Sequence, residues 1–216
     1  MTRRNIYIVE DDDLVRSSLE SLVSVRPDVD VRSFASGDAF LAEIERLAPG
    51  CLVLDLHMPG KSGIDVLKVI GDDPARFVAI VLTGQGDVSL AVQAMKAGAV
   101  DFLEKPCSHR ALMQALDTAI ARLEHSSQEA MRVETATAKL ALLSARERDV
   151  LKGLVEGRSN KVIAFDLDIS PRTVEIYRAK LMEKLEVRSL SEALGIAFAA
   201  GMFPGTSSTG EPHPLA

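Results

Sequence analysis

The chain has no tryptophan, only two cysteines and no long apolar run, and each shortage removes a class of protein. Aromatic residues make up 4% of the 216 positions, so the expected core is aliphatic. Cys51 and Cys107 stand far apart without a Cys-x-x-Cys spacing, which argues against a disulfide framework or a zinc site and fits a reducing compartment. Met1-Thr-Arg-Arg resembles the opening of a secretory signal, but only Ile6-Tyr-Ile-Val9 follows before an acidic cluster. No stretch approaches the roughly 18 apolar residues that a membrane crossing needs. A soluble cytoplasmic protein, with no membrane association, is the expectation. What is present suffices for folding: 47% of residues are apolar, and the length suits two modest domains.

Charge is distributed unevenly. Residues 1–123 carry 13 basic and 18 acidic side chains, whereas residues 141–216 carry ten of each. Within the latter, residues 157–188 hold seven basic and five acidic, a weak positive bias suited to a nucleic-acid-facing surface. The first 123 residues alternate two patterns. Short β-branched runs at 5–9, 29–34, 51–55, 78–83 and 100–104 are separated by helical periodicities at 12–25, 38–47, 64–70, 87–97 and 108–123. That alternation predicts an α/β domain, a parallel sheet with helices on both faces. Val78-Ala-Ile-Val-Leu82 is apolar throughout, as a strand buried on both sides should be.

Such sheets bind ligands at the carboxyl ends of their strands. Glu10-Asp11, Asp55, Thr83 and Lys105 each fall at a different strand end. Together they make a phosphoryl-transfer pocket plausible on chemical grounds. A phosphoryl group in flight spreads negative charge over its oxygens, and catalysis of its transfer is mostly positioning and neutralisation. A magnesium ion takes an octahedral oxygen shell that one or two carboxylates and waters complete. Asp11 and Asp55 supply carboxylates, Glu10 a contact through water, and the backbone carbonyl of His57 another oxygen. Asp55 is then the nucleophile, Thr83 beside Gly84 a hydroxyl donor, and Lys105 a movable cation. Pro106 fixes the loop after Lys105, with a cis peptide as one option. Plainer roles exist for each: Asp12 or Asp13 as a helix cap, Thr83-Gly84 as a turn, and His57 as an exposed side chain.

These motifs carry a resemblance. Glu10-Asp11, Asp55-Leu-His-Met-Pro-Gly60, Thr83-Gly84 and Lys105-Pro106 make residues 1–123 similar to a response-regulator receiver domain. The resemblance implies a flavodoxin-like, doubly wound five-stranded sheet of order 2-1-3-4-5. It also implies phosphorylation of Asp55 by a sensor histidine kinase, a required Mg2+, and Phe102 as an aromatic that turns inward when Thr83 moves. Glu10 departs from the pattern, since many members carry Asp there. Leu82-Thr-Gly-Gln-Gly-Asp87 and Ala91–Phe102 are especially similar to the FixJ branch.

Residues 124–140 lose the apolar period without gaining Pro or Gly, so a helical or a flexible linker fits equally. From Leu143 four helical pieces follow, broken at Gly157, at Asp168-Ile-Ser170 and near Val187, and a tail from Pro204 reads as disordered. Ser159 opens a short helix with Val162, Ile163, Ala164 and Leu167 on one face. Ser170-Pro171 opens another, with Val174, Leu181 and Leu185 inward. Two such helices describe a helix-turn-helix, although a generic bundle with solvated basic residues fits the same pattern. Leu143-Ser-Ala-Arg-Glu-Arg-Asp-Val-Leu151, Asn160-Lys161 and Leu167-Asp-Ile-Ser-Pro-Arg-Thr-Val174 resemble a LuxR-type domain, which makes residues 141–203 a small all-α four-helix DNA-binding domain of the NarL/FixJ class.

The resemblance then implies roles. Glu175, Ile176 and Ala179 fall where recognition helices meet base edges. Asn160, Lys161, Arg172, Thr173, Arg178 and Lys180 complete the DNA-facing set, the cations and Thr173 suited to phosphates. Tyr177 replaces a common His. Double-stranded DNA, a histidine kinase and, after phosphorylation, a second copy of the chain are the implied partners. The expected activity is that of a regulator and not of a classical enzyme, apart from its own Mg2+-dependent phosphotransfer and dephosphorylation. Two rivals stand beside it: a magnesium-dependent aspartyl phosphatase, whose haloacid dehalogenase type wants an acid where His57 stands, and a phosphate-independent adaptor.

Overall fold

A computed structural model describes residues 3–84 and 88–203. The five β-branched runs form strands β1 (Arg4–Val9), β2 (Val29–Phe34), β3 (Gly50–Asp55), β4 (Phe77–Thr83) and β5 (Asp101–Glu104). They lie in the order β2-β1-β3-β4-β5, every pair parallel. Parallel neighbours require crossovers, made here by α1 (Asp13–Val23), α2 (Gly37–Glu43), α3 (Gly63–Gly71) and α4 (Val88–Lys96), and α5 (His109–Ala141) follows β5. This is the doubly wound, flavodoxin-like order that the resemblance implies. Every residue of β3 and β4 is buried, which explains why these runs do not alternate in the sequence.

Successive residues of each strand enter opposite layers. Ile6, Ile8, Cys51, Val53, Ile80 and Leu82 pack with Leu19, Val23, Leu112 and Leu116 from α1 and α5. That layer is aliphatic, as expected. The other is not, and the expectation of a wholly aliphatic core is corrected there. Tyr7, Phe34, Phe40 and Phe77 join Val9, Leu52, Leu54 and Val81, with ring centroids 5.4–6.4 Å apart. Seven Phe and two Tyr are few for the whole chain, but the stacking of β1, β2, α2 and β4 brings four of them to one place. Edge-on ring pairs add about 0.5–1.5 kcal/mol each beyond area burial.

Local signals set the helix starts. Asp12 caps α1, its carboxylate accepting from Leu14 N at 2.8 Å and Val15 N at 3.0 Å. Ser62 and Asp65 form a reciprocal capping box at α3. Elsewhere boundaries differ from the periodicity. The helix predicted over 38–47 stops at Glu43 and tightens into a 3-10 turn at Ile44–Arg46. The helix predicted over 108–123 runs on to Ala141, so residues 124–140 are helical. Ala, Glu, Gln, Met, Arg and Lys there are good helix formers with no breaker among them, and a helix exposed on most sides shows little apolar period.

Four further helices follow: α6 (Ala145–Val155), α7 (Asn160–Asp166), α8 (Pro171–Leu185) and α9 (Leu190–Ala199). Contacts divide the chain into compact units Met1–Gln128 and Glu129–Ala216, the division falling inside α5. In the second unit Val150, Leu151, Ile163, Val174, Leu181 and Ala193 form the core, which Leu140 at the end of α5 also joins. Lys139 there donates to the Leu185 carbonyl at 2.9 Å, closing the end of α8. Close approach of α6 and α7 requires Gly153, since a Cβ there would lie 2.7 Å from Ile163 Cγ1. The tail from Pro204, expected to be disordered, and residues 85–87 of the Leu82–Asp87 motif lie outside the described residues. Among the described residues no helix is long and apolar enough to cross a membrane.

Candidate functional site

Adjacent β1, β3 and β4 set the pocket floor. Register pairs Val9 with Leu54 and Asp55 with Leu82, so residues just past β1 and at the end of β3 emerge side by side. Carboxylate oxygens of Glu10, Asp11 and Asp55 all lie within 4.8 Å of one another. Glu10 is 1% exposed and Asp55 4%, whereas Asp11 faces solvent. Lys105, immediately after β5, reaches back across the sheet: its Nζ lies 2.7 Å from Glu10 Oε2 and 3.1 Å from Asp55 Oδ2. The Lys105–Pro106 peptide is cis.

Burial raises the Glu10 carboxyl above the usual carboxylate range; the Lys105 hydrogen bond opposes this and the Asp55 charge adds to it. Burial works against the Lys105 ammonium too, but Glu10 and Asp55 together outweigh it and hold its pKa above the ordinary value. Three carboxylates converge against one ammonium, leaving a formal excess of two negative charges. A divalent cation matches that excess, and hard carboxylate oxygens are the donors magnesium takes. The residues therefore fit the ion.

Neighbouring groups are arranged around this cluster. Arg16 donates to the Glu10 carbonyl at 2.7 Å and pairs with Asp13, bracing the acidic loop. Gly63 lets the chain pass Asp55 closely, since a Cβ would sit 2.3 Å from the Asp55 carbonyl. His57 is exposed in the loop between them. Thr83 ends β4, is buried, and its hydroxyl makes a long 3.4 Å hydrogen bond to the carbonyl of half-buried Gly84. It touches none of the three acids through a hydrogen bond. Phe102, on β5, is 43% exposed. It borders a cavity of about 400 Å³ that Thr83, Ala91, Val92 and Met95 also line.

In the second unit, Ser159 caps α7 and Ser170 caps α8, with Pro171 in the first turn of α8. Between them Asp168 takes a left-handed φ of 52°. Val174, Leu181 and Leu185 face the core, and Tyr177 packs against it. Glu175, Ile176, Ala179 and Lys180 are exposed on the opposite side with Arg172, and Thr173 is half-buried. Arg172 pairs with Glu175 at 2.8 Å, Lys161 is exposed on α7, and Arg178 Nη1 donates to Asn160 Oδ1 at 2.7 Å.

Both patterns match known families in chain order. Residues 6–117 match the response regulator receiver domain and residues 141–197 the luxR family of bacterial regulatory proteins. The chain belongs to the response regulators. The regulator is 43% identical over 201 residues to the transcriptional regulatory protein FixJ of Bradyrhizobium diazoefficiens, covering 93% of this chain and 98% of that one. It is 42% identical to FixJ of Rhizobium meliloti, over 94% of this chain and 100% of that protein. Among solved structures, full-length FixJ from B. japonicum superposes with a TM-score of 0.56 at 43% identity, covering 94% and 100% of the two chains. The response regulator StyR gives 0.76 at 33% identity, over 91% and 99%. The regulator is thus a two-component, DNA-binding transcription regulator with a receiver domain and a LuxR-type helix-turn-helix.

Sequence reading passed over one structurally important group in this regulator. Glu147, 3% exposed, accepts from Ser144 N at 2.7 Å and from Lys184 Nζ at 2.7 Å, tying the start of α6 to the end of α8. A Ser-x-x-Glu spacing at 144–147 is the capping-box signature and signals half of that arrangement. The Lys184 contact, 37 residues away, has no sequence signal.

Proposed function

We propose that, in the cytoplasm, Asp55 accepts a phosphoryl group from a sensor histidine kinase and that this promotes pairing of two copies of the chain and binding to DNA. The observation that carries the reading is the convergence of Asp55, Glu10 and Asp11 with the Lys105 ammonium. An Asp55 oxygen attacks phosphorus while the phosphorus–nitrogen bond to the donor's imidazole breaks, leaving an acyl phosphate on Asp55 and the electron pair on the departing nitrogen. Mg2+, held by Glu10, Asp11, Asp55 and the His57 carbonyl, would supply charge neutralisation for the phosphoryl oxygens. Lys105, 3.1 Å from Asp55 Oδ2, contributes a second positive charge.

Lys105 and the Thr83 hydroxyl then bind phosphoryl oxygens, with Gly84 leaving room beside Thr83 and Pro106 holding the loop. Thr83 has only a weak hydrogen bond to exchange. Its movement frees space at the cavity that borders Phe102, and the exposed ring turns inward. The surface of α4, β5 and α5 changes shape as a result and becomes the dimer contact. Two charge-assisted hydrogen bonds at about 1.5–3 kcal/mol each are comparable to the roughly 5.5 kcal/mol needed to move a two-state equilibrium from 1:99 to 99:1.

In the output unit, Glu175, Ile176 and Ala179 meet base edges, Glu175 accepting from a cytosine amine and Ile176 packing on a thymine methyl. Lys161, Arg172, Thr173 and Lys180 meet phosphates. Chemistry is confined to the chain's own phosphotransfer and dephosphorylation. Incubation with acetyl phosphate, with and without Mg2+, tests the reading on a phosphate-affinity gel. A shifted band that requires both Mg2+ and Asp55 is expected. Turnover of generic phosphate esters would favour a phosphatase instead.

A further inference from the structure

Cations of the α7–α8 pair fall into two kinds. Arg172 is paired with Glu175 at 2.8 Å, and Arg158 with Asp166 at 2.6 Å and Glu156 at 2.8 Å, so each has a carboxylate partner in the free chain. Lys161, Arg178 and Lys180 meet no carboxylate among the described residues. Lys161 and Lys180 are exposed, whereas Arg178 is half-buried and held. Its Nη1 donates to Asn160 Oδ1 at 2.7 Å, a bond from the middle of α8 to the first residue of α7.

The identity of that acceptor matters. An amide oxygen orients a guanidinium but does not cancel its charge, whereas a carboxylate would do both. A guanidinium has five N–H donors in a planar fork, so one bond to Asn160 leaves most of the fork available. Ordering a long side chain on binding costs free energy, and a guanidinium fixed beforehand avoids part of that cost.

The geometry points to Arg178 as a DNA phosphate ligand aimed by Asn160, with Asn160 acting as a positioning residue that makes no DNA contact of its own. This rests on the DNA-binding reading of the helix pair and revises the sequence expectation that Asn160 touches DNA directly.

The test uses the full chain and a fluorescein-labelled mixed-sequence duplex about three helical turns long, read by anisotropy over a range of KCl concentrations. Arg178→Ala weakens binding and makes the log–log salt slope shallower by about one. Arg178→Lys keeps the wild-type slope with reduced affinity. Asn160→Ala weakens binding about five- to tenfold without changing the slope, because the charge remains. Asn160→Asp makes the slope shallower, because it neutralises Arg178 in place. The double variant Asn160→Ala/Arg178→Ala binds as Arg178→Ala does alone. Additive losses in the double variant would overturn the proposal by making Asn160 a contact in its own right. An unchanged slope in Arg178→Ala, with a lowered thermal midpoint, would make the pair a structural brace and overturn it equally. Failure of the wild-type chain to bind the duplex at low salt would instead remove the DNA-binding reading, and the proposal with it.

Discussion

Replacing Glu147 by Ala should destabilise the second unit by about 1–2 kcal/mol. The side chain is almost wholly buried and accepts from Ser144 N and Lys184 Nζ, each at 2.7 Å. Loss of a capping interaction costs about 1 kcal/mol. Lys184 is 41% exposed, so its ion pair is discounted for solvent screening to at most about 1 kcal/mol. Two units make whole-chain melting a poor two-state measurement, so hydrogen exchange of α6 and α8 amides is the suitable assay. Their protection should fall while protection in β3 and β4 is unchanged. The pH dependence carries a sign. Hydrogen bonds from Lys184 and Ser144 depress the Glu147 pKa, so its contribution is fully present above the unfolded value of about 4.3 and is lost as pH falls through the lower folded value. A Glu147→Gln variant should therefore differ from wild type at neutral pH and approach it in acid. A change below about 0.5 kcal/mol in Glu147→Ala, the size of an ordinary surface substitution, would refute this reasoning.

Three other outcomes are expected. Phe40→Ala removes the ring that contacts Tyr7, Phe34 and Phe77 and should cost the first unit about 3–5 kcal/mol, read from loss of β-sheet amide protection. Gly153→Ala forces a Cβ toward Ile163 and should cost about 1–3 kcal/mol, weakening DNA binding in proportion to the fraction unfolded. Lys105→Ala should still take up phosphate on a phosphate-affinity gel but fail to dimerise in response, as judged by light scattering.

The clustering of Glu10, Asp11, Asp55 and Lys105 could be read from sequence because parallel strands end where their apolar runs end, and each residue stands at such an end. Helix starts were readable for a similar reason: Ser159, Ser170 and Asp12 act within three residues of themselves. What escaped depends on distance along the chain. Tyr7, Phe34, Phe40 and Phe77 form one ring cluster only after β1, β2, α2 and β4 are stacked. The extension of α5 to Ala141 lacks an apolar period because most of its surface is exposed, and within the second unit Leu140 packs on the core and Lys139 bonds to Leu185. The bonds of Glu147 to Lys184 and of Arg178 to Asn160 join separate helices, so no local spacing announces them.

Mass spectrometry of the intact protein after incubation with acetyl phosphate and Mg2+ addresses the role of Asp55 most directly, with peptide mapping to place any added group. A single phosphoryl adduct on Asp55, absent when Mg2+ is omitted and absent from Asp55→Ala, is the expected result. An adduct on another residue, or equal labelling of Asp55→Ala, would contradict it.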